Sequence, residues 1–443
     1  MESNLQEIRC QNVHEVVGIG FGPSNLSLAI AMQGRPILQN TLFLEQSPRF
    51  SWHAGMLLPG TTMQVSFLKD LVSLRDPQSP FTFVKYLHSK GRLSDFINLQ
   101  SFFPTRIEFH DYLSWCAAYF EDKVHYRCQV TSIKLESSER HDVPLYRITA
   151  QVDGVSHYFL ARSIVHSCGL EPVLPQGVKA SERVFHSSKV LFGLKNASPR
   201  KGSHFVVIGA GQSAAEVIEY LFSQDPVCKV TLVLTRFGFT PADDSPFVNQ
   251  IFDPESVDSF YDSSPEGRRR ILQNHANTNY AAVEIDAIKR IYDNFYQDKV
   301  SGKERLKLRR CSTLTGISSE GDRLVVSIRS LATGARDVID ADYAICATGL
   351  RPRSPLALMS EDLAAATTLD ASNMPIVDRF HRVTFRNKRL PPFFSVGTAE
   401  ATLGLSDTLL SNMAIRSGKL VNAVTNALDA SEEVDGDVVS QLF

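Results

Sequence analysis

The sequence predicts an α/β fold with two Rossmann-like dinucleotide-binding domains and a small, mainly helical subdomain, and three observations predict it. Glu15-Val16-Val17 enters Gly18-Ile19-Gly20-Phe21-Gly22-Pro23 and leaves through Leu26, Leu28, Ala29 and Ile30 at helical spacing. Phe205 to Ile208 enters Gly209-Ala210-Gly211-Gln212-Ser213 and leaves through Val217, Ile218 and Leu221 in the same way. A third apolar strand, Asp342 to Cys346, is stopped by Gly349.

Glycines serve where backbone turns tightly and approaches a pyrophosphate, whose charge then sits at the positive end of the following helix. Pro23 stands where the fingerprint has its third glycine, a substitution that a helix's first turn accepts. Each unit closes with a second strand, and the residues after those strands differ. Glu45 follows Thr41 to Leu44 and suits ribose hydroxyls, as in FAD or NAD; Arg236 follows Val230 to Leu234 and suits the 2′-phosphate of NADPH. Both lie 27 residues after the first glycine of their unit. One site of each kind is the economical reading.

Residues 1–195 are expected to open an FAD-binding domain and 196–243 an NADPH-binding domain. The proline-marked stretch 244–291 reads as an inserted substrate-binding subdomain with a helical run from Ala281 to Tyr292. Residues 292–341 resume the second domain, and 342–443 return the chain to the first. From Asp429 the chain turns acidic and is expected to fray.

Composition excludes several function classes. The 443 residues carry 46 basic and 48 acidic side chains, so no global field holds nucleic acid or anionic lipid. The most apolar stretch, Val13 to Met32, is broken by its glycines, Pro23 and Asn25, and reads as soluble rather than membrane-spanning. Seven scattered cysteines without a CxxC pair suit a reducing cytoplasm and offer neither a disulfide framework, a metal site nor a dithiol centre. With a flavin, a reduced nicotinamide and no such centre, oxygen is the remaining common electron acceptor. Arg268-Arg269-Arg270 reads as a solvated helix face, and His186 as a structural linker histidine.

From about residue 14 to 418 the chain resembles the flavin-dependent N-hydroxylating monooxygenases of siderophore biosynthesis, and most closely the L-ornithine N5-monooxygenases. The likeness rests on Gly18 to Leu26, Gln64 to Ser73, Gly211 to Glu216, Asp243 to Asn249, Asn277 to Tyr280, Ala347 to Gly349 and Gly404 to Ser411. It implies that NADPH reduces FAD, that the reduced flavin captures O2 as a C4a-hydroperoxide, and that the side-chain amine of L-ornithine takes the distal oxygen. The flavin carries the hard chemistry and the protein binds, orients and shields. An alkylammonium of pKa ~10.4 must be presented as free base, at a cost of about 4.6 kcal/mol at pH 7.

The resemblance also implies residue roles. Asn279 meets the reacting nitrogen as a neutral amide, Lys69 binds the substrate carboxylate, Asn249 binds its amino-acid end, Gln250, Ile251 and Phe252 line that loop, and Ser411 lies close by. Trp52, His53, Met63 and Gln64 match the ring-contacting stretch, Val130 the adenine contact, and Thr408, Leu409 and Leu410 the turn over the flavin pyrimidine. Gly18, Gly20, Gly22, Pro23 and Glu45 belong to the FAD site; Gly209, Ala210, Gly211, Gln212, Ser213 and Arg236 belong to the NADPH site. A homotetramer is implied as well. Without the resemblance, Lys69 and Asp70 would read as a surface ion pair and Asn279 as a turn cap.

Leu403 stands where many relatives carry histidine, the loop from Arg236 to Asn249 is one residue short, and Phe239 and Thr240 supply no second cation, so NADPH selectivity rests on Arg236 and Ser213. Lysine N6-hydroxylation is the close alternative, since one methylene is worth ~1–3 kcal/mol in recognition. A general amine monooxygenase and a nucleotide-sensing binding protein are the more distant ones.

Overall fold

The computed structural model describes residues 8–440 except 139–140, 276–277, 279–281 and 388. The first glycine unit forms the middle of a seven-stranded sheet. Ile8–Ile19 pairs in parallel with Thr41–Leu44 on one side and Val155–His166 on the other. Val124–His125 extends the first edge, and Phe393–Ser395 joins Val155–His166 from the far end of the chain. Beyond Val155–His166, the antiparallel strands His141–Val152 and Cys128–Ser138 complete the sheet. Val16 is fully buried against helix residues such as Leu28 and Val421, and Val17 against strand residues such as Tyr146, Ile148 and Phe393, so both faces of these parallel strands are covered, as the unbroken apolar run requires.

Helix Pro23–Met32 starts at a proline in its first turn, buries eight of its residues, and packs one face on the C-terminal helix Met413–Ser440. That last helix continues through the acidic stretch where fraying was expected. A core cluster joins Leu28 and Met32 to Leu420, Val421 and Val424, so both chain ends build one domain.

The second unit forms a five-stranded, all-parallel sheet in the order Leu306–Arg309, Lys229–Val233, His204–Ile208, Tyr343–Cys346, Val184–His186. Two expected boundaries move. Tyr343–Cys346 was expected to return the chain to the first domain, yet it sits beside His204–Ile208 in the second sheet. Val184–His186, which precedes residue 196, belongs there too. A continuous apolar strand reports burial on both faces and carries no label for its sheet. The chain crosses between the sheets at Leu170–Pro172 and Leu350–Pro352, which pair antiparallel with each other. A three-stranded antiparallel sheet, Ser312–Glu320, Arg323–Ser330 and Arg336–Ala341, flanks the second unit.

The 244–291 stretch is mainly helical in its described part, with Pro246–Asn249, Pro254–Asp262 and Pro265–Asn274 each opening on the proline that marked it. The helix expected from Ala281 begins instead at Ile285 and runs to Val300, because Ala282–Val283 pairs with Thr240–Pro241. Among the described residues no helix is long and apolar enough to cross a membrane.

Candidate functional site

A cleft of about 910 Å³ opens at the carboxyl ends of the parallel strands of the first sheet, where open α/β sheets bind ligands. Gly20, Gly22, Pro23 and Glu45 line it, while Gly18 lies beneath. Gly20 has φ +83°, and a Cβ there would stand 2.5 Å from the Ser167 carbonyl oxygen. A Cβ on Gly18 would meet the Phe43 ring at 2.3 Å, so this glycine lets strand and neighbour close up. A Cβ on Gly22 would meet no protein atom within 4 Å. Gly22 caps helix Pro23–Met32 without a side-chain hydrogen bond, so the helix presents its first amides and positive end to open space in the cleft. Glu45 is held rigidly, one oxygen accepting from the Phe21 amide at 2.7 Å and the other from the Ser47 amide at 2.7 Å. Each oxygen retains lone-pair capacity for a hydroxyl. These features fit the pyrophosphate and ribose of FAD.

Trp52, His53, Val130, Thr408, Leu409 and Leu410 also line the cleft. The Trp52 and His53 rings meet edge-on with centroids 4.6 Å apart. Met63 and Gln64 do not line it. Met63 is buried in the cluster containing Phe21 and Phe43, and Gln64 faces outward. A methionine in an apolar run serves core packing as readily as a ligand wall, and the structure places this one in the core.

The residues above leave out Arg416. Its guanidinium donates to the Asp407 carbonyl at one lip of the cleft and, at 3.1 Å, to the Ser24 hydroxyl at the other. A buried arginine thus ties the turn Leu405–Thr408 to the start of helix Pro23–Met32. No local signal singles it out, because the same helical run also carries Lys419, Ser417 and Asn422.

The second site repeats the geometry. Gly209 has φ +149°, and a Cβ would lie 2.3 Å from the Ala347 carbonyl oxygen. Ala210 is buried, and Gly211 caps helix Gln212–Gln224 without a side-chain hydrogen bond. Gln212 accepts from the Glu284 amide at 2.9 Å and donates to Glu216 at 3.1 Å, while half-buried Ser213 stays on the helix's first turn. Arg236 is half-buried past the second strand and donates to Thr240 Oγ1 at 3.0 Å, which fixes its guanidinium in the loop after that strand. Uncapped amides and a cation are the donor set a phosphorylated dinucleotide needs, so the residues fit NADPH. Glu216 receives a two-pronged bond from Arg106, at 2.7 and 2.9 Å, and Arg106 also donates to the Met56 carbonyl. This buried pair fastens the first domain's helix Arg106–Ala117 to the second domain.

Lys69 and Asp70 do not pair. Asp70 turns inward and accepts from the Val72 amide, the Ser73 amide and hydroxyl, and the Phe83 amide, at 2.6 to 2.9 Å. Burial nevertheless raises its pKa above the ordinary carboxylate value, with those hydrogen bonds opposing the rise. The half-buried Lys69 ammonium meets no acceptor among the described residues. The Ser27 hydroxyl donates to the Leu71 carbonyl at 2.8 Å and reaches the Met413 carbonyl at 3.5 Å, tying the Lys69 segment and the Ser411 segment to one helix. Asn249 donates to the Asp244 carbonyl at 2.9 Å, and the turn Gln250–Phe252, which contains Ile251, lies against Leu405–Thr408. Lys69, Asn249 and Ser411 stand outside the cleft lining, whereas Leu410, the neighbour of Ser411, is in it. Asn279 lies outside the described residues.

Among the thiols beside the cleft, Cys168 is pushed up to about 12 by burial, far from the thiolate that disulfide chemistry needs. His186 accepts from the Ser188 amide at 3.1 Å and meets the Gly349 carbonyl at 3.0 Å, bracing the crossing between domains.

A family model described as L-lysine 6-monooxygenase/L-ornithine 5-monooxygenase matches residues 12–352. The L-ornithine N(5)-monooxygenase of Pseudomonas aeruginosa is 37% identical over 92% of this chain and 93% of its own. The structure superposes on the ornithine N-hydroxylase of Kutzneria sp. 744, in its form with reduced FAD, NADP+ and L-ornithine, with TM-score 0.90, 39% identity, and 94% and 99% of the two chains covered. The L-lysine 6-monooxygenase of Pseudomonas syringae gives TM-score 0.81 and 28% identity, with 94% and 99% covered.

Proposed function

The chain belongs to the L-lysine 6-monooxygenase/L-ornithine 5-monooxygenase family, and from that membership we propose that it is a flavin-dependent L-ornithine N5-monooxygenase that uses NADPH and O2. The higher identity to ornithine than to lysine enzymes sets ornithine ahead. Bound FAD, reduced by NADPH, supplies the oxygen activation.

The chain's own residues do the rest. Helix Pro23–Met32 and Glu45 would hold the flavin dinucleotide by pyrophosphate and ribose, and Thr408 to Leu410, which line the same cleft, would hold its ring end. Helix Gln212–Gln224, Ser213 and Arg236 hold NADPH. Residues 1–195 and 342–443 are assigned to FAD, 196–243 and 292–341 to NADPH, and 244–291 to the substrate, with Val184–His186 and Tyr343–Cys346 moved to the NADPH side.

One observation supports the substrate end: among the described residues Lys69 meets no acceptor, because Asp70 accepts instead from the Val72, Ser73 and Phe83 amides and the Ser73 hydroxyl. The ammonium is therefore available to the α-carboxylate, while Asn249 and Ser411 take the amino-acid end. Asn279 is assigned to the reacting amine, where a neutral amide accepts or donates without favouring the ammonium form. We infer further that the product serves hydroxamate siderophore biosynthesis and that the enzyme is a cytoplasmic homotetramer, readings that rest on family likeness and that light scattering checks for assembly.

Putrescine, which is ornithine without its carboxylate, tests the clamp. Wild-type protein is expected to form at least tenfold less hydroxylamine from putrescine than from ornithine at equal concentration; equal yields would remove Lys69 from its role.

A further inference from the structure

Behind the flavin-side turn lies a second, small pocket of about 40 Å³, bounded by His381, Leu403, Ser406, Asp407, Asn412 and Arg416. His381, Asp407 and Asn412 are each more than nine-tenths buried. Asp407 Oδ2 accepts from the Ala399 amide at 2.7 Å, but Oδ1 has no hydrogen-bond partner among the described residues, with Arg416 Nη1 3.9 Å away. His381 Nδ1 is 3.4 Å from that oxygen without hydrogen-bond geometry and is itself unpartnered. Both the carbonyl oxygen and the amide nitrogen of the Asn412 side chain are unpartnered as well. Four buried polar atoms thus converge on one small space, where such groups ordinarily find partners.

The FAD cleft does not extend to His381 or Asn412. Asp407 and Arg416 line both spaces, but His381 and Asn412 border only the small one. Water requires roughly 10–15 Å³ of such space and two to four polar partners, so the pocket has room and donors for a few molecules. His381 is fixed in place by a tight turn in which Asp378 accepts from the Phe380 and Arg382 amides at 2.8 and 2.9 Å, and its own backbone takes φ +67°. Burial lowers its pKa to about 4, so the ring is neutral and offers one donor and one acceptor.

We propose that this pocket is a hydrated site through which His381 and Asn412 hold the Asp407 carboxylate, and that both act as positioning residues for the turn Leu405–Thr408 against the flavin. The link is short. Asp407 fixes the Ala399 amide with one oxygen, its carbonyl takes the Arg416 guanidinium that reaches Ser24, and Thr408 follows it into the cleft. Losing the water bridge frees Asp407 Oδ1, and the turn that faces the flavin loses its rear support.

The proposal rests on the reading of the cleft as an FAD site, and its test is independent of the amino-acid substrate. A crystal structure of the FAD-loaded wild type at high resolution is expected to show ordered water joining Asp407 Oδ1 to Asn412 and His381. Dilution of the holoenzymes is expected to release FAD at least fivefold more readily from Asn412→Leu and His381→Phe, with a changed visible circular dichroism of the flavin. His381→Gln, which keeps a donor and an acceptor, is expected to stay within twofold of wild type. A dry pocket, or unchanged FAD retention and dichroism in both apolar variants, overturns the proposal. The crystallographic readout needs no variant, so a variant that does not fold still leaves the claim exposed. A wrong substrate would appear in product assays and leave these readouts unmoved.

Discussion

Lys69 and Asp70 illustrate how far single residues could be read. Adjacent opposite charges suggested an ion pair, but a carboxylate followed by two amides at positions two and three can close a local turn instead. The structure takes the second course, because the Phe83 amide also needs an acceptor and burial makes an unmet donor costly. Lys69→Ala is therefore expected to raise the ornithine KM roughly 10–100-fold, the loss of a charge-assisted contact worth ~1.5–3 kcal/mol, with a smaller effect on kcat. Steady-state kinetics check it. The substrate roles proposed for Lys69, Asn249 and Ser411 rest only on motif likeness, while the place of Arg416 was not legible at all. Its partner Ser24 is 392 residues away, and no local pattern announces such a bond. Three histidines add a pH dependence. Burial lowers His53, His166 and His381 to about 4 from an ordinary 6.5. The unfolded chain then takes up protons that the folded one refuses, so stability is complete above pH 6.5 and is lost as pH falls toward 4, by at most ~3 kcal/mol for each of the buried His166 and His381. Thermal unfolding between pH 7 and 4.5 is expected to show the decline, and His381→Gln should make it shallower.

The glycine turns were the most legible elements, since a strand period, a turn and a helix period in succession leave few alternatives. Their geometry predicts separable failures. Gly20 holds φ +83° against the Ser167 carbonyl, so Gly20→Ala is expected to weaken FAD retention and cost roughly 1–3 kcal/mol of stability. Gly209 presses on the Ala347 carbonyl in the other sheet, so Gly209→Ala is expected to raise the NADPH KM while FAD stays bound. Spectral titration of flavin beside NADPH kinetics separates the two. Strand membership was less legible. Tyr343–Cys346 carries the same apolar signature as Val16 and Val17, and only pairing with His204–Ile208 assigns it. Helix ends erred where a short strand, Ala282–Val283, preceded the helix and took its first residues.

For the whole molecule, the composition and the paired units sufficed to predict an α/β chain with two nucleotide domains, because each unit must cover its parallel sheet with helices. How the domains lock together was hidden. The Arg106–Glu216 pair joins residues 110 apart, and burial makes it a fastening that fails badly when half is removed. Glu216→Ala is expected to destabilise the fold by ~3–5 kcal/mol, and Arg106→Ala with Glu216→Ala by less than the sum. Denaturant unfolding of the four proteins checks it. The central claim concerns chemistry, and one measurement meets it most directly: N-hydroxylated product formed by purified, FAD-loaded protein with NADPH and O2, run side by side with L-ornithine, L-lysine and no amino acid. The account predicts N5-hydroxy-L-ornithine well above the yield from lysine and none in the blank; greater product from lysine, or peroxide without product in every tube, would contradict it.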